Sequence, residues 1–80
     1  MAAQLGVVAL FITNLAQAAL RVNDILACHP DIIVGRVGLP FHQRGVSVVA
    51  LVVDGEGGVV ADMVRRLEAL ENVTVHSHTM

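Results

Sequence analysis

Four segments of the chain have the hydrophobic pattern of β-strands. The run from Leu5 to Ile12 is continuously apolar and rich in branched residues, which is typical of a buried strand. Ile32 to Leu39 predicts a second strand, closed by Pro40, and Ser47 to Val53 predicts a third. Val73 to Ser77 alternates apolar and polar residues, which predicts a short last strand.

A first helix is predicted between the first two strands. Apolar residues from Leu15 to Leu26 recur at spacings of three and four, so they share one helical face. Asn14, with Gln17 three residues later, favours a capping box in which the Asn14 side chain accepts from free amides. The helix should end near Cys28 and His29, because Pro30 disfavours helical geometry in His29 before it.

A second amphipathic helix is predicted from Val59 to Leu70, after a turn over residues 54–58 that is rich in glycine. Asp62 stands four residues before Arg66, as an exposed ion pair requires. The polar turn 41–45 joins strands two and three into a hairpin. The order β-α-β-β-α-β predicts an α+β, ferredoxin-like fold, a four-stranded antiparallel sheet with both helices on one face.

The two central strands are predicted to be apolar on both faces. In strand one the alternating sets are Val7, Ala9, Phe11 and Val8, Leu10, Ile12, and strand three has the same character. A sheet with one face in water should instead alternate apolar and polar residues. We therefore expect the face without helices to pack on another copy, as a dimer or tetramer, or on a partner protein. The alternative interpretation is high β propensity alone.

Length and composition restrict the class of protein. Eighty residues make a single domain over positions 1–80. With no lysine, and five arginines against seven acids, direct binding of nucleic acid is not expected. The longest apolar runs have about 8 residues, far below the roughly 20 that span a bilayer, so no membrane contact is expected. A single cysteine, Cys28, rules out an internal disulfide and favours the cytoplasm.

Histidine and cysteine residues suggest a metal site as one alternative. His76 and His78 are two residues apart, which on a strand places both side chains on the same face. Together with His42 or Cys28 from a neighbouring subunit, they would suit nickel or zinc. The alternative is that both histidines are simply solvated near a frayed C-terminus. No other cofactor is expected.

Arg36 is the one charged residue of the second predicted strand. On an inner strand its guanidinium would need a carboxylate, a carbonyl or a bound anion, because an unpaired buried charge is costly. Gly35 and Gly38 remove side chains beside it, so a ligand could approach closely. One interpretation is a site for a small anionic effector, and the other is an ion pair, within the chain or between subunits, with Asp24, Asp31 or Asp54.

Enzymatic activity is not expected. The chain has no lysine for a Schiff base and no serine, histidine and acid constellation that the sequence can indicate. Cys28 and His29 are adjacent, and adjacent residues at a helix end face about 100° apart. They therefore do not form a catalytic dyad.

The segment Ile32 to Pro40, with its Arg-x-Gly-x-Pro pattern, resembles the signature of the iron-only hydrogenase system regulator family. The resemblance extends over nearly the whole chain, including Val22 to Leu26 of the first helix. It implies a small ACT-like regulatory domain, related to the C-terminal domain of the nickel-responsive repressor. The residues expected from their own pattern to bind an effector or to form an interface are Arg36, Gly35, Gly38 and Pro40. The alternatives are a chaperone that grips a peptide by strand addition and a nickel or zinc sensor.

Overall fold

The elements follow one another in the order that the hydrophobic pattern predicts. The computed structural model describes residues 3–80, and positions 1 and 2 of the predicted domain lie outside that range. The elements are β1 (Gln4–Thr13), α1 (Leu15–Ala27), β2 (Ile33–Phe41), β3 (Val46–Gly55), α2 (Gly57–Glu68) and β4 (Val73–Thr79). A short 3-10 helix, His42–Arg44, joins β2 to β3. The predicted α+β order is confirmed.

All strand pairs in the sheet are antiparallel, and the strand order is β2-β3-β1-β4. β1 and β3 pair along their whole length, from Gln4 opposite Gly55 to Thr13 opposite Val46. These two strands are therefore the inner strands, and β2 and β4 are the edges. This is the ferredoxin-like, ACT-like arrangement that the sequence predicts.

The hydrophobic core lies between one face of the sheet and the two helices. Alternate residues of a strand face opposite sides, so each inner strand contributes every second residue. The buried hydrophobic residues of the strands are Val8, Leu10, Ile12, Val49, Leu51, Val53 and Val73. The helices contribute Ala18, Val22, Leu26, Val60, Met63 and Leu67 at spacings of three and four. Both helices therefore cover the same face, and the other face has no layer over it within residues 3–80.

The N-terminus of α1 differs from the predicted capping box. Asn14 has a φ of 54°, in the left-handed region, and its side chain accepts no bond from the first turn. Its Nδ2 instead donates to Oε1 of Gln17 at 2.9 Å. The backbone carbonyl of Asn14 accepts the amides of Gln17 and Ala18. The capping prediction was wrong because the two polar side chains bond to each other.

Several predicted boundaries also move by one to three residues, and two of them have a clear local cause. β2 continues through Pro40 to Phe41, because β2 is an edge strand, where proline is tolerated without an N–H for the ladder. α2 begins at Gly57 instead of Val59, with Glu56 in extended conformation as its N-cap. The glycines after residue 54 therefore belong partly to β3 and partly to the first turn of α2.

The predicted ion pair on α2 is confirmed. Nε of Arg66 lies 3.2 Å from Oδ2 of Asp62, and Nη2 of Arg65 lies 3.6 Å from the other oxygen of the same carboxylate. All three side chains are exposed. Within the described part of the chain, neither helix is both long enough and apolar enough to cross a membrane.

Candidate functional site

The face of the sheet opposite the helices is apolar across its inner strands. Odd-numbered residues of β1 and even-numbered residues of β3 point to it, and the register places them side by side, for example Val7 opposite Val52. We name this surface the bare face. Its large exposed hydrophobic side chains are Leu5, Val7, Phe11, Val37, Leu39, Phe41 and Val52.

Two histidines lie at one border of the bare face, on the edge strand β4. His76 is opposite Ala9 and His78 is opposite Val7 in the ladder with β1, so both project to the same side, as their spacing predicts. The His76 ring meets the Phe11 ring edge to face, with 5.8 Å between the ring centroids. Both imidazoles are exposed at residue level, so they are available to a ligand or to a second chain.

The four predicted metal ligands do not come together within one chain. His42 belongs to the 3-10 helix, at the end of the sheet where Phe41 pairs with Val46. Cys28 is an exposed residue directly after α1, in the helical layer. Among residues 3–80, no three histidine, cysteine or acidic side chains are close enough to hold a metal ion. A site completed by His42 or Cys28 of a neighbouring subunit stays a prediction.

Arg36 lies on an edge strand, whereas the sequence suggested an inner one. Its partner in the ladder is Leu51, a core residue, so Arg36 projects toward the helical side. There its Nη2 donates to Oδ1 of Asn23 in α1 at 3.2 Å. The salt bridges of residues 3–80 all lie within α2, so the ion pair of Arg36 with a nearby aspartate is not formed in the chain. Exposure to water removes the need for it.

The glycines beside Arg36 leave open space, as the sequence suggests. A Cβ built on Gly35 or on Gly38 would meet no atom within 4 Å. Gly38 and Pro40 lie on the same side of β2 as Arg36, whereas Gly35 opens on the bare face. A small ligand can therefore approach the guanidinium over Gly38 without displacing a side chain. A guanidinium has five N–H donors, and the bond to Asn23 uses one of them.

A polar groove on the helical side was not predicted from the sequence. It has a volume of about 440 Å³ and lies between α1 and the turn that follows α2. Gln17 and Arg21 line it from one side, and Glu71 and Asn72 from the other. The spacing of four between Gln17 and Arg21 indicates that they share a helical face, but no pattern in the sequence relates them to the distant turn.

Known proteins resemble this chain in sequence and in fold. Residues 4–77 match the family model described as "TM1266-like: Iron-only hydrogenase system regulator, putative". The structure is similar to that of the uncharacterized protein TM1266 from Thermotoga maritima, with a TM-score of 0.93 and 18% identity over 98% of both chains. It also resembles part of a formyltetrahydrofolate deformylase from Pseudomonas putida KT2440, with a TM-score of 0.66 and 11% identity over 92% of this chain and 28% of that one. No curated protein matches the sequence. At these identities the two structural similarities show a common fold.

Proposed function

Since the chain belongs to the TM1266-like iron-only hydrogenase system regulator family, we propose that it is a regulatory interaction module that assembles with copies of itself through the bare face. In this proposal the protein acts in the cytoplasm by binding a partner protein, and it catalyses no reaction. The observation that supports assembly most strongly is the row of seven large hydrophobic side chains on a sheet face that neither α1 nor α2 covers.

The size of the bare face fits a protein interface. Strands of up to 10 residues, spaced about 4.8 Å apart with a rise of about 3.3 Å per residue, give a four-stranded face of roughly 600 Å². This outline includes the polar residues Thr74, His76 and His78 of β4, and it matches the upper limit of the apolar patches of about 300–600 Å² that monomers expose. It approaches the roughly 800 Å² that each partner contributes to a stable interface. Covering this face with a second copy would remove the patch from water.

The charge pattern supports the same assembly. Between the ladder pair Val7–Val52 and the pair Thr13–Val46, no aspartate, glutamate, lysine or arginine of β1 or β3 faces this side. Residues at the centre of stable interfaces are similarly depleted of charge. A face with this composition packs against an identical face without burying an unpaired ion.

A small anionic effector is the second part of the proposal. Arg36 offers unused N–H donors beside the open space over Gly38, and planar guanidinium groups bind carboxylates and phosphates through two parallel bonds. Val37 and Leu39 alternate with Arg36 along the same strand and project to the bare face. An anion that orders this strand would therefore shift the assembly equilibrium, provided that it binds one assembly state more tightly than the other.

Sedimentation equilibrium of two matched variants tests the assembly. Leu39→Asp introduces a carboxylate on the bare face, and Leu20→Asp introduces the same change at an exposed leucine of α1. Burying an unpaired carboxylate costs several kcal/mol, so Leu39→Asp should raise the dissociation constant at least about 100-fold. Leu20→Asp should leave the mass of the assembly unchanged. A wild-type protein that is monomeric throughout would contradict the proposal and favour the peptide-binding chaperone.

Calorimetric titration with inorganic phosphate and with citrate tests the effector site. We expect at least one of the two anions to bind the wild-type protein and the Arg44→Ala variant, which lacks another exposed arginine. Arg36→Ala should abolish the heat of binding. Equal binding by both variants, or no binding of either anion to the wild type, would contradict an anion site at Arg36.

A further inference from the structure

The two edges of the sheet are not equally protected against pairing with another strand. β2 has a register irregularity between Ile33 and Gly35, a proline at position 40 and the charge of Arg36, which are features that discourage edge pairing. β4 has none of them. Its register with β1 is continuous, and Val73–Thr79 contains no proline and no aspartate, glutamate, lysine or arginine. The edge of β4 is therefore open.

The hydrogen bonds of β4 identify the residues whose backbone groups face this open edge. The amide of Met80 donates to the carbonyl of Leu5 at 2.9 Å, and the carbonyl of Asn72 accepts the amide of Thr13 at 2.8 Å. The N–H and C=O groups of every second residue in a strand point to the same neighbouring strand. Since those of residues 72 and 80 bond to β1, the even-numbered residues of this segment direct their backbone N–H and C=O groups to β1. The groups that remain for a further strand belong to residues 73, 75, 77 and 79.

A second copy of the chain is the partner that fits this edge. Two β4 strands related by a twofold axis pair antiparallel, so the free donors and acceptors of each face those of the other. The same axis keeps the helices of both copies on one side and the two bare faces on the other. The edge of β2 offers no equally regular partner, because its register is interrupted.

This pairing brings histidines of both copies together. The even-numbered residues of β4 take the non-hydrogen-bonded positions, where Cα atoms of opposite residues are about 4.5 Å apart. If the twofold axis passes beside residue 76, His76 lies opposite His76 of the second copy. If the axis passes beside residue 77, His76 lies opposite His78 of the second copy. In both registers all four imidazoles project from the same side of the joined sheet.

We propose that β4 pairs with β4 of a second copy and that His76 and His78 of the two copies bind one divalent transition metal ion. Imidazole nitrogen suits zinc, nickel and copper, and zinc binds at about 2.0–2.1 Å from each nitrogen with three or four protein ligands. One chain supplies only two of these ligands at this edge. The His76 ring packs on Phe11 of β1, on the side away from the open edge, so it turns from Phe11 toward the second copy when the metal binds. The site requires neither His42 nor Cys28.

Metal binding and dimer formation are then linked. A metal that binds the dimer and not the monomer increases the association constant of the two chains. The factor is one plus the ratio of the free metal concentration to the dissociation constant of the metal from the dimer. At a metal concentration 100 times that constant, the apparent affinity between chains rises about 100-fold. This linkage concerns the edge of β4, so it does not depend on packing through the bare face or on an effector at Arg36.

Sedimentation velocity with zinc or with EDTA tests the proposal, and the Leu39→Asp variant is the suitable background because association through the bare face is weakened there. We expect monomers in EDTA and dimers with zinc, with one zinc per two chains by elemental analysis. Adding His76→Gln or His78→Gln should reduce the zinc-dependent association at least about 100-fold. The control His42→Gln should leave it unchanged.

A blocking variant separates strand pairing from simple chelation. The amide of Ser77 points to the open edge, so Ser77→Pro removes no bond to β1 but prevents pairing with a second β4. With both histidines intact, this variant should lose the zinc-dependent dimer while its circular dichroism spectrum stays that of the parent. Zinc bound one to one by monomers, no effect of zinc on mass, or a dimer that survives Ser77→Pro would each overturn the proposal.

Discussion

Gly6 lies at a close approach between β1 and β4, and the substitution Gly6→Ala tests that contact. A Cβ built on Gly6 would lie 2.6 Å from the carbonyl oxygen of His78 and 3.0 Å from a methyl carbon of Thr79. Ordinary contact begins at 3.4 Å, and the nearer atom belongs to the backbone. The φ of Gly6 is not in the left-handed region, so the effect of alanine is steric. β4 must therefore move away from β1 beside His78.

The expected loss of stability follows from this overlap. Overpacking at a closely packed position costs about 1–3 kcal/mol, and replacing a strand glycine returns about 0.5–1 kcal/mol. A net loss of about 1–2 kcal/mol lowers the Tm of a domain of this size by roughly 4–16 °C. Thermal unfolding followed by circular dichroism in EDTA, at one protein concentration, measures this shift.

The matched control is Gly38→Ala, because a Cβ at Gly38 meets no atom within 4 Å. Its Tm should equal that of the wild type or exceed it by a few degrees, since alanine restricts the unfolded chain. A Tm for Gly6→Ala within about 2 °C of the wild type would refute the steric reasoning. An equal fall in the Tm of Gly38→Ala would also refute the steric reasoning, because the loss of stability would then not depend on the close backbone of β4.

Two further substitutions test the packing and the surface charges. Leu51 is fully buried, so Leu51→Ala should lower the free energy of unfolding, measured by urea titration, by about 2–5 kcal/mol. The control Leu20→Ala, at an exposed leucine, should change the free energy of unfolding by less than about 0.5 kcal/mol. Similar losses of stability in both variants would contradict the assigned core. Asp62→Asn removes the exposed ion pairs with Arg65 and Arg66. It should lower the free energy of unfolding by less than about 1 kcal/mol, and by less still at high salt. A larger, salt-independent loss would contradict that assignment.

The hydrophobic pattern was sufficient to predict the order of the helices and strands, and to predict that both faces of β1 are apolar. Burial in a strand has a period of two, so Val8 and Leu10 could be separated from Val7 and Phe11 before the fold was known. The same period predicted that His76 and His78 share a face. These inferences are reliable because they depend only on local geometry.

The environment of Arg36 could not be predicted from this period. Arg36 was interpreted as a residue of an inner strand, where its guanidinium would need a partner, but β2 is an edge strand and Arg36 is exposed. The hydrogen-bond partner of Asn14 at the N-terminus of α1 could not be predicted from the sequence spacing either. Asn14 has two competing partners, the first-turn amides and the side chain of Gln17, and the spacing of three fits both.

The candidate metal site shows what a single chain leaves undetermined. The sequence indicated that ligands from a neighbouring subunit would be needed, and it named His42 and Cys28 as the donors. The fold separates these two residues from His76 and His78 within the chain, because they lie at the far end of the sheet and in the helical layer. The open edge of β4 became apparent only once strand order and hydrogen-bond direction were known.

A native mass spectrum of the wild-type protein, purified in EDTA and recorded at micromolar concentration, tests the central claim most directly. EDTA removes metal-dependent association, so the subunit count reports on the bare face. Assembly through this face predicts species at two or four times the 8.5 kDa mass of the chain. A spectrum with the 8.5 kDa monomer alone would contradict it, because the seven large hydrophobic side chains of the bare face would then remain in water.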